Sequence, residues 1–88
     1  MAVFVDYCIP CIPNARWRWG KSAHLFADTE VELHAFAARL GLKRAWFQNH
    51  PRFAHYDVNE SKHAEALRLG ATLADRKTTV AHFKPRKD

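Results

Sequence analysis

Residues 23–41, AHLFADTEVELHAFAARLG, join a short apolar run to an amphipathic segment, and this junction decides the fold. Thr29 followed three residues later by Glu32 forms a capping box, which marks the N-terminus of a helix. Gly41 is a typical helix terminator. Between them, apolar side chains recur at the i, i+3, i+4, i+7 spacing of a one-sided helix, at Leu33, Phe36, Ala37 and Leu40. The stretch therefore predicts a strand that leads directly into a helix.

Further elements of both kinds lie on either side of this stretch. Residues 2–5 are apolar and rich in β-formers, which indicates a buried first strand, and residues 71–74 suit another strand. Asn59 is a good N-cap for a helix over 60–69. Asp75 can cap a last helical segment in the same way.

The order of these elements predicts a small single α/β domain over residues 1–83. We expect a short mixed sheet of three to four strands with two to three helices. Residues 7–21 form a long loop in this scheme, and residues 84–88 form a basic tail. Residues 43–48 fit either a strand or a short helical turn, and their periodicity does not distinguish the two.

The composition narrows the range of functions. The chain has 88 residues, with 14 Lys and Arg against 9 Asp and Glu, which gives a formal net charge of +5. A chain this short has one modest core, so a binding site lies at or near its surface. The positive balance favours polyanionic partners such as nucleic acid. No stretch approaches the roughly 18 apolar residues of a membrane span, so we expect no membrane partner and a cytoplasmic location.

Two pairs of acidic and histidine residues are the candidates for catalysis or metal binding. His55 and Asp57 are two residues apart on an extended segment, so their side chains point to the same side. Asp6 ends the first strand, and His24 lies on the next predicted strand. The four together fit a mixed site, because imidazoles and carboxylates transfer protons and bind divalent ions. The candidate ions are Mg²⁺, Mn²⁺ and Zn²⁺.

Each pair also has a purely structural alternative. Asp57 could help to cap the following helix while His55 bonds a nearby carbonyl group. Asp6 could begin the loop, and His24 could be a histidine whose hydrogen bonds are satisfied within the fold. The residues alone do not choose between these roles.

Cations and aromatic rings alternate in residues 16–21, RWRWGK. Such a loop can neutralise phosphates while a ring stacks on a base; alternatively, the tryptophans cover the core and the arginines face water. The first turn of the helix after Asn59 offers a second phosphate site, because free N–H groups and the helix dipole favour an anion there. The predicted contacts to phosphate or nucleic acid are Arg16, Trp17, Arg18, Trp19, Lys21, Ser61 and Lys62.

Cys8 and Cys11 have the CxxC spacing of redox proteins. Two prolines in the same segment break the helix that a redox-active pair requires, so redox catalysis is not expected. As half of a zinc site, the pair needs further ligands, and the available histidines are His24, His50 and His55. The remaining alternative is a pair of small apolar loop residues.

Several short motifs together resemble a known family. They are MAVFVD at 1–6, HLFADT at 24–29, ELHAFA at 32–37, WFQ at 46–48, HYD at 55–57 and SK at 61–62. Over residues 1–71 the chain resembles an uncharacterised family of small bacterial and phage proteins, the domain of unknown function number 4031. The resemblance implies a bacterial or bacteriophage source and a stand-alone domain, and it supplies no activity. The family's recurring polar positions match Asp6, His24, Asp28, His55, Asp57, Ser61 and Lys62.

Three functions follow from these features. The first is a phosphate-recognising domain that binds nucleic acid or a nucleotide through residues 16–21 and the helix after Asn59. The second is a small metal-dependent phosphodiesterase or nuclease whose ion is held by Asp6, His24, His55 and Asp57. The third is a phage accessory protein that binds a host protein through Trp17, Trp19 and Trp46.

Overall fold

Strand β3, Lys21–Ala27, is the centre of the sheet in the computed structural model, which describes residues 2–83. Strand β1, Val3–Val5, pairs with it antiparallel on one edge, and strand β4, Tyr56–Val58, pairs antiparallel on the other. Strand β2, Ile9–Pro10, pairs with the beginning of β3, and strand β5, Thr72–Leu73, runs parallel to β1. The sheet is therefore mixed.

Within residues 2–83, three α-helices and one short 3₁₀ helix accompany the sheet. Helix α1 is Glu30–Arg39, helix α2 is Glu60–Arg68 and helix α3 is Arg76–Ala81, while the 3₁₀ helix is Arg44–Trp46. Among the described residues, no helix combines the length and apolar character needed to cross a membrane.

The α-helices begin at the residues that the sequence predicts. The side chains of Thr29, Asn59 and Asp75 each accept a hydrogen bond from the backbone N–H three residues later. In α1 the capping box is reciprocal, because Oγ1 of Thr29 also donates to Oε1 of Glu32. The other oxygen of Glu32 accepts from the backbone N–H of Ala2, 2.9 Å away, so the start of α1 is tied to the start of the first strand.

Alternate side chains of β3 face two different layers. Ala23 and Leu25 lie in the main core beneath α1 and α2, with partners that include Leu33, Phe36, Leu40 and Ala66. Phe26 points to the opposite face and packs with Phe4, Phe53 and Ala74 in a second, smaller cluster. His24 shares the face of Phe26, because strand side chains alternate with a period of two. The second face of the sheet thus holds aromatic rings beside His24.

The α/β prediction is confirmed: residues 2–83 contain three α-helices and five strands, where the sequence predicts three to four strands. The extra strand lies in the segment predicted as a loop over 7–21, where residues 9 and 10 fold back onto the beginning of β3. The backbone N–H of Cys11 donates to the carbonyl of Gly20 at 2.9 Å and closes this hairpin. Residues 43–48 contain the 3₁₀ helix and no strand, with one bridge between residues 48 and 55. The predicted basic tail, 84–88, lies outside the described residues.

Candidate metal centre

Three side chains meet on the second face of the sheet. His24 on β3 lies directly opposite Asp57 on β4, and His55 precedes Asp57 by two positions. One ligand atom from each side chain lies within 4.8 Å of the other two. Across residues 2–83, no other group of three or more His, Cys, Asp or Glu side chains is close enough to share an ion. We refer to His24, His55 and Asp57 as the triad.

Asp6 holds His24 in one orientation. Its Oδ2 lies 2.7 Å from Nδ1 of His24, and its Oδ1 accepts from the backbone N–H of the same residue at 2.7 Å. A carboxylate can only accept, so Nδ1 carries the proton, and in the neutral ring Nε2 keeps its lone pair. The hydrogen bond to Asp6 raises the pKa of His24, and burial opposes this shift.

His55 is held in the same way by a backbone group. Its Nδ1 lies 2.7 Å from the carbonyl oxygen of Phe53, which again makes Nδ1 the donor. Its Nε2 lies 3.4 Å from Oδ1 of Asp57. The interaction with His55 lowers the pKa of Asp57, while burial acts in the opposite direction. Asp57 is therefore a carboxylate at neutral pH, with an imidazole nitrogen facing it.

This arrangement suits a transition-metal ion. Histidine ligands in metal sites typically donate one ring N–H to a carboxylate or carbonyl and bind the ion through the other nitrogen. Metal–ligand distances of about 2.0–2.2 Å place neighbouring ligands of a tetrahedral ion about 3.4 Å apart, close to the separation of His55 and Asp57. Two nitrogens and one oxygen suit Zn²⁺ or Mn²⁺ better than Mg²⁺, which prefers oxygen ligands and water.

The triad is open to solvent on one side. The side chain of His24 is 39% exposed and that of Asp57 is 36% exposed, whereas His55 is only 15% exposed. The ring of Phe53 lies behind both histidines, with its centroid 5.5 Å from that of His24 and 5.1 Å from that of His55. Three protein ligands leave positions of an ion free for water or a substrate.

Asp6 lies behind the triad and not within it. Both of its carboxylate oxygens bond to His24, and its backbone oxygen lies 2.7 Å from Nε2 of His63 on α2. The geometry therefore assigns Asp6 to positioning His24, where the sequence predicts a direct ligand. His63 has no role in the sequence-based scheme, because nothing local indicates its contact with a residue 57 positions away.

The structural alternatives for the triad are partly observed. His55 does bond a carbonyl group, that of Phe53. Asp57 does not cap α2, because the cap is Asn59. The carbonyl bond does not compete with a ligand role, since it occupies Nδ1 and leaves Nε2 directed at Asp57.

An open groove of about 690 Å³ adjoins the triad at Asp57. Four of the predicted contacts to phosphate or nucleic acid line it, namely Arg16, Trp17, Trp19 and Lys62. Trp46, from the 3₁₀ helix, also lines it, although the sequence analysis considers this ring only as an anchor for a protein partner. The groove therefore combines aromatic and cationic side chains with one carboxylate of the triad.

Arg18, Lys21 and Ser61 are not among the groove-lining residues, and Lys62 is also bonded outside the groove. Lys21 pairs with Glu60 at 3.4 Å, and Ser61 is exposed in the first turn of α2. Lys62 donates to the carbonyl of Leu40 at 2.6 Å, which places its ammonium group at the C-terminal end of α1. Its role in binding phosphate remains a prediction, and any ligand there would have to share the ammonium group with that carbonyl.

The cysteines lie apart from the triad. Cys8 packs against the main core, and burial raises the pKa of its thiol. Sγ of Cys11 lies 3.4 Å from the carbonyl oxygen of Trp19. Neither cysteine belongs to a group of three metal-ligating side chains in the part of the chain that the structure describes. The idea that they form half of a zinc site with nearby histidines gains no support.

Fold and site together define a small α/β protein with a candidate metal centre of two histidines and one carboxylate. The chain belongs to the family described as protein of unknown function (DUF4031), whose model matches residues 3–86. No curated protein and no solved structure matches the chain.

Removing one triad ligand should abolish most of the metal affinity. We expect calorimetric titration of the metal-free protein with Zn²⁺ or Mn²⁺ to show one site, and His55→Ala to weaken it at least about 100-fold, more than the loss of a supporting residue would. His50→Ala is the matched control, because His50 lies on an exposed turn outside the triad. Equal affinities for His55→Ala and the control would contradict the assignment.

Asp6→Asn should act through the tautomer of His24. The backbone N–H of His24 keeps the amide oxygen of Asn on its side, so the amide NH₂ faces Nδ1 and moves the ring proton to Nε2. We expect about 10–100-fold weaker metal binding, with a smaller loss in Asp6→Ala, which imposes no tautomer. Nitrogen-15 NMR of the ring reads the tautomer directly. A protonated Nδ1 together with normal affinity in Asp6→Asn would contradict the positioning role.

Proposed function

We propose that the protein is a metal-dependent phosphodiesterase that acts on nucleic acid or a nucleotide. The observation that carries the proposal is the triad of His24, His55 and Asp57, whose ligand atoms lie within 4.8 Å of one another beside an open groove while Nδ1 of each histidine is bonded elsewhere. Ligand sets of two histidines and a carboxylate hold catalytic ions that keep a position open for water. The net charge of +5 favours an anionic substrate.

The chemistry requires little beyond the triad and water. A bound divalent ion acts as a Lewis acid on a phosphoryl oxygen and lowers the pKa of a bound water. His24, His55 and Asp57 would hold the ion. In the hydrolysis the oxygen of a water would form a bond to phosphorus, the bond from phosphorus to the leaving oxygen would break, and one proton of the water would end on the leaving oxygen. If both rings bind as neutral ligands, Asp57 would contribute the single negative charge of the ligand set, and a divalent ion held there would keep a net positive charge toward phosphate.

The remaining residues of the site would orient this centre. Asp6 and the carbonyl of Phe53 fix the two rings, and His63 holds the backbone of Asp6 in turn. The ring of Phe53 packs against both histidines, and the open groove reaches the site at Asp57, where a substrate would enter. The proposal therefore assigns binding to the groove and bond cleavage to the triad.

Binding of nucleic acid without cleavage is the second candidate function. It is favoured by the cations and tryptophans of the groove, which would hold a polyanion whether or not an ion is bound. This function predicts an affinity that falls steeply with increasing salt concentration, as counterion release requires. Both candidates are compatible with the bacterial or phage source and the cytoplasmic location expected from the sequence. Binding of a host protein remains the third candidate.

Hydrolysis of bis(4-nitrophenyl) phosphate tests the catalytic proposal with a substrate that needs no groove. We expect Zn²⁺ or Mn²⁺ to support release of nitrophenolate, excess EDTA to stop it, and Asp57→Asn to lower the rate at least about 100-fold, the scale of a lost transition-state contact. His50→Ala should keep the full rate. A rate no higher than that of the ion in buffer would contradict the proposal and favour binding without cleavage.

A further inference from the structure

Two segments that are distant in the sequence present tryptophan rings to the same groove. Trp17 and Trp19 come from the hairpin loop between β2 and β3, and Trp46 comes from the 3₁₀ helix after α1. Trp19 is 38% exposed and Trp46 is 50% exposed. Tryptophan rings are mostly buried in proteins on average. The exposure of Trp19 and Trp46 therefore leaves much of their apolar surface available to a ligand.

Each of the two exposed rings is paired with a cation. The guanidinium carbon of Arg18 lies 5.0 Å from the ring centroid of Trp19, and Nζ of Lys43 lies 5.5 Å from that of Trp46. A flat ring next to a positive charge can receive a nucleobase and its phosphate together. No carboxylate other than Asp57 is among the groove-lining residues of the described chain, so the charge of the groove favours a polyanion.

The loop that carries two of the tryptophans is ordered by its own hydrogen bonds. Oδ1 of Asn14 accepts from the backbone N–H groups of Arg16 and Trp17. The indole N–H of Trp17 donates to the carbonyl of Lys21 at 3.1 Å, and its ring meets that of Trp19 edge-on at 4.7 Å. The ring of Trp19 is therefore held in place before a ligand arrives, which lowers the entropic cost of binding.

We propose that this groove selects single-stranded nucleic acid by stacking unpaired bases on Trp19 and Trp46. Stacking on a side chain needs the face of a base, and in a duplex the faces are covered by neighbouring base pairs. The groove volume of about 690 Å³ lies in the 300–1,000 Å³ range of small-ligand sites, a size suited to one or two nucleotides and not to a double helix. The selection of single strands does not depend on the proposed function. Only the cleavage of the strand after binding rests on that function.

The position of Asp57 links the bound strand to the triad. Asp57 lines the groove and is also a member of the triad, so a strand bound in the groove would reach the triad at this residue. Cleavage would then fall next to a stacked base. The substrate class that this selects is a single strand with at least two unpaired nucleotides, of DNA or RNA.

Fluorescence anisotropy tests the selection without any cleavage. A labelled ten-nucleotide single strand and the same sequence as a duplex are titrated with the protein in EDTA at fixed salt. We expect the single strand to bind at least about 10-fold more tightly, Trp46→Ala to lose about 10-fold as for one stacked base, and Trp46→Phe to keep most of the affinity. Tyr7→Ala is the matched control, because Tyr7 is an exposed aromatic residue outside the groove lining.

The outcomes separate this inference from the proposed function. Three results would overturn the inference: equal binding of strand and duplex, an unchanged affinity in Trp46→Ala, or no binding of either oligonucleotide. The last result would favour a protein as the partner of the tryptophans. Circular dichroism and the thermal melting curve of the Trp46→Ala preparation show whether the variant is folded, and hydrolysis of bis(4-nitrophenyl) phosphate is measured separately on the unsubstituted protein. Tight single-strand binding with no hydrolysis would support the inference and contradict the catalytic proposal.

Discussion

Strand β3 is hydrogen-bonded on both of its edges, and this pairing determines where every part of the site lies. Leu25 pairs with Val5 on one side and Tyr56 on the other, so the register of both neighbours is fixed around a fully buried residue. A slip of one residue would turn Leu25 toward the site face and His24 into the core, which burial of the apolar side forbids. The main core therefore maintains the register that brings His24 opposite Asp57.

The site adds a second set of constraints to this register. A histidine ring can bind an ion through either nitrogen, and its choice depends on what the other nitrogen contacts. Here Asp6 from the end of β1 and the carbonyl of Phe53 take the two Nδ1 positions, and both Nε2 atoms remain for an ion. Because His63 binds the backbone of Asp6, helix α2 also contributes to the orientation of His24. A surface cluster of three ligands is thus tied to three separate elements of the fold.

Local signals in the sequence predict most of the fold. Thr29, Asn59 and Asp75 are caps because a short polar side chain bonds the free N–H groups of a helix start, an effect that depends on only four residues. Strand β2 is missed because it is two residues long, contains a proline and owes its pairing to the closure of the hairpin at Cys11 and Gly20. Strand β2 therefore depends on a tertiary contact, which a local sequence pattern does not show.

In the candidate site too, local sequence patterns predict one part and tertiary contacts determine the other. The spacing of His55 and Asp57 predicts their shared direction, and the strand ends make Asp6 and His24 plausible neighbours. Which residue binds the ion and which one supports it is not predictable, because the distinction depends on which atoms contact Nδ1 and Nε2 of each histidine. Phe53 contributes through its backbone, which no side-chain motif reveals, and the contribution of Trp46 follows from a groove shared by two distant segments.

Nε2 of His24, Nε2 of His55 and the carboxylate of Asp57 are proposed to form one metal site. Anomalous diffraction from a crystal grown with Zn²⁺ measures this directly. We expect a strong peak at about 2.0–2.2 Å from these three groups, with the Asp6 carboxylate still bonded to Nδ1 of His24. A peak at Cys8 and Cys11, a peak at Nδ1 of either triad histidine, or no peak near Asp57 at saturating Zn²⁺ would contradict it.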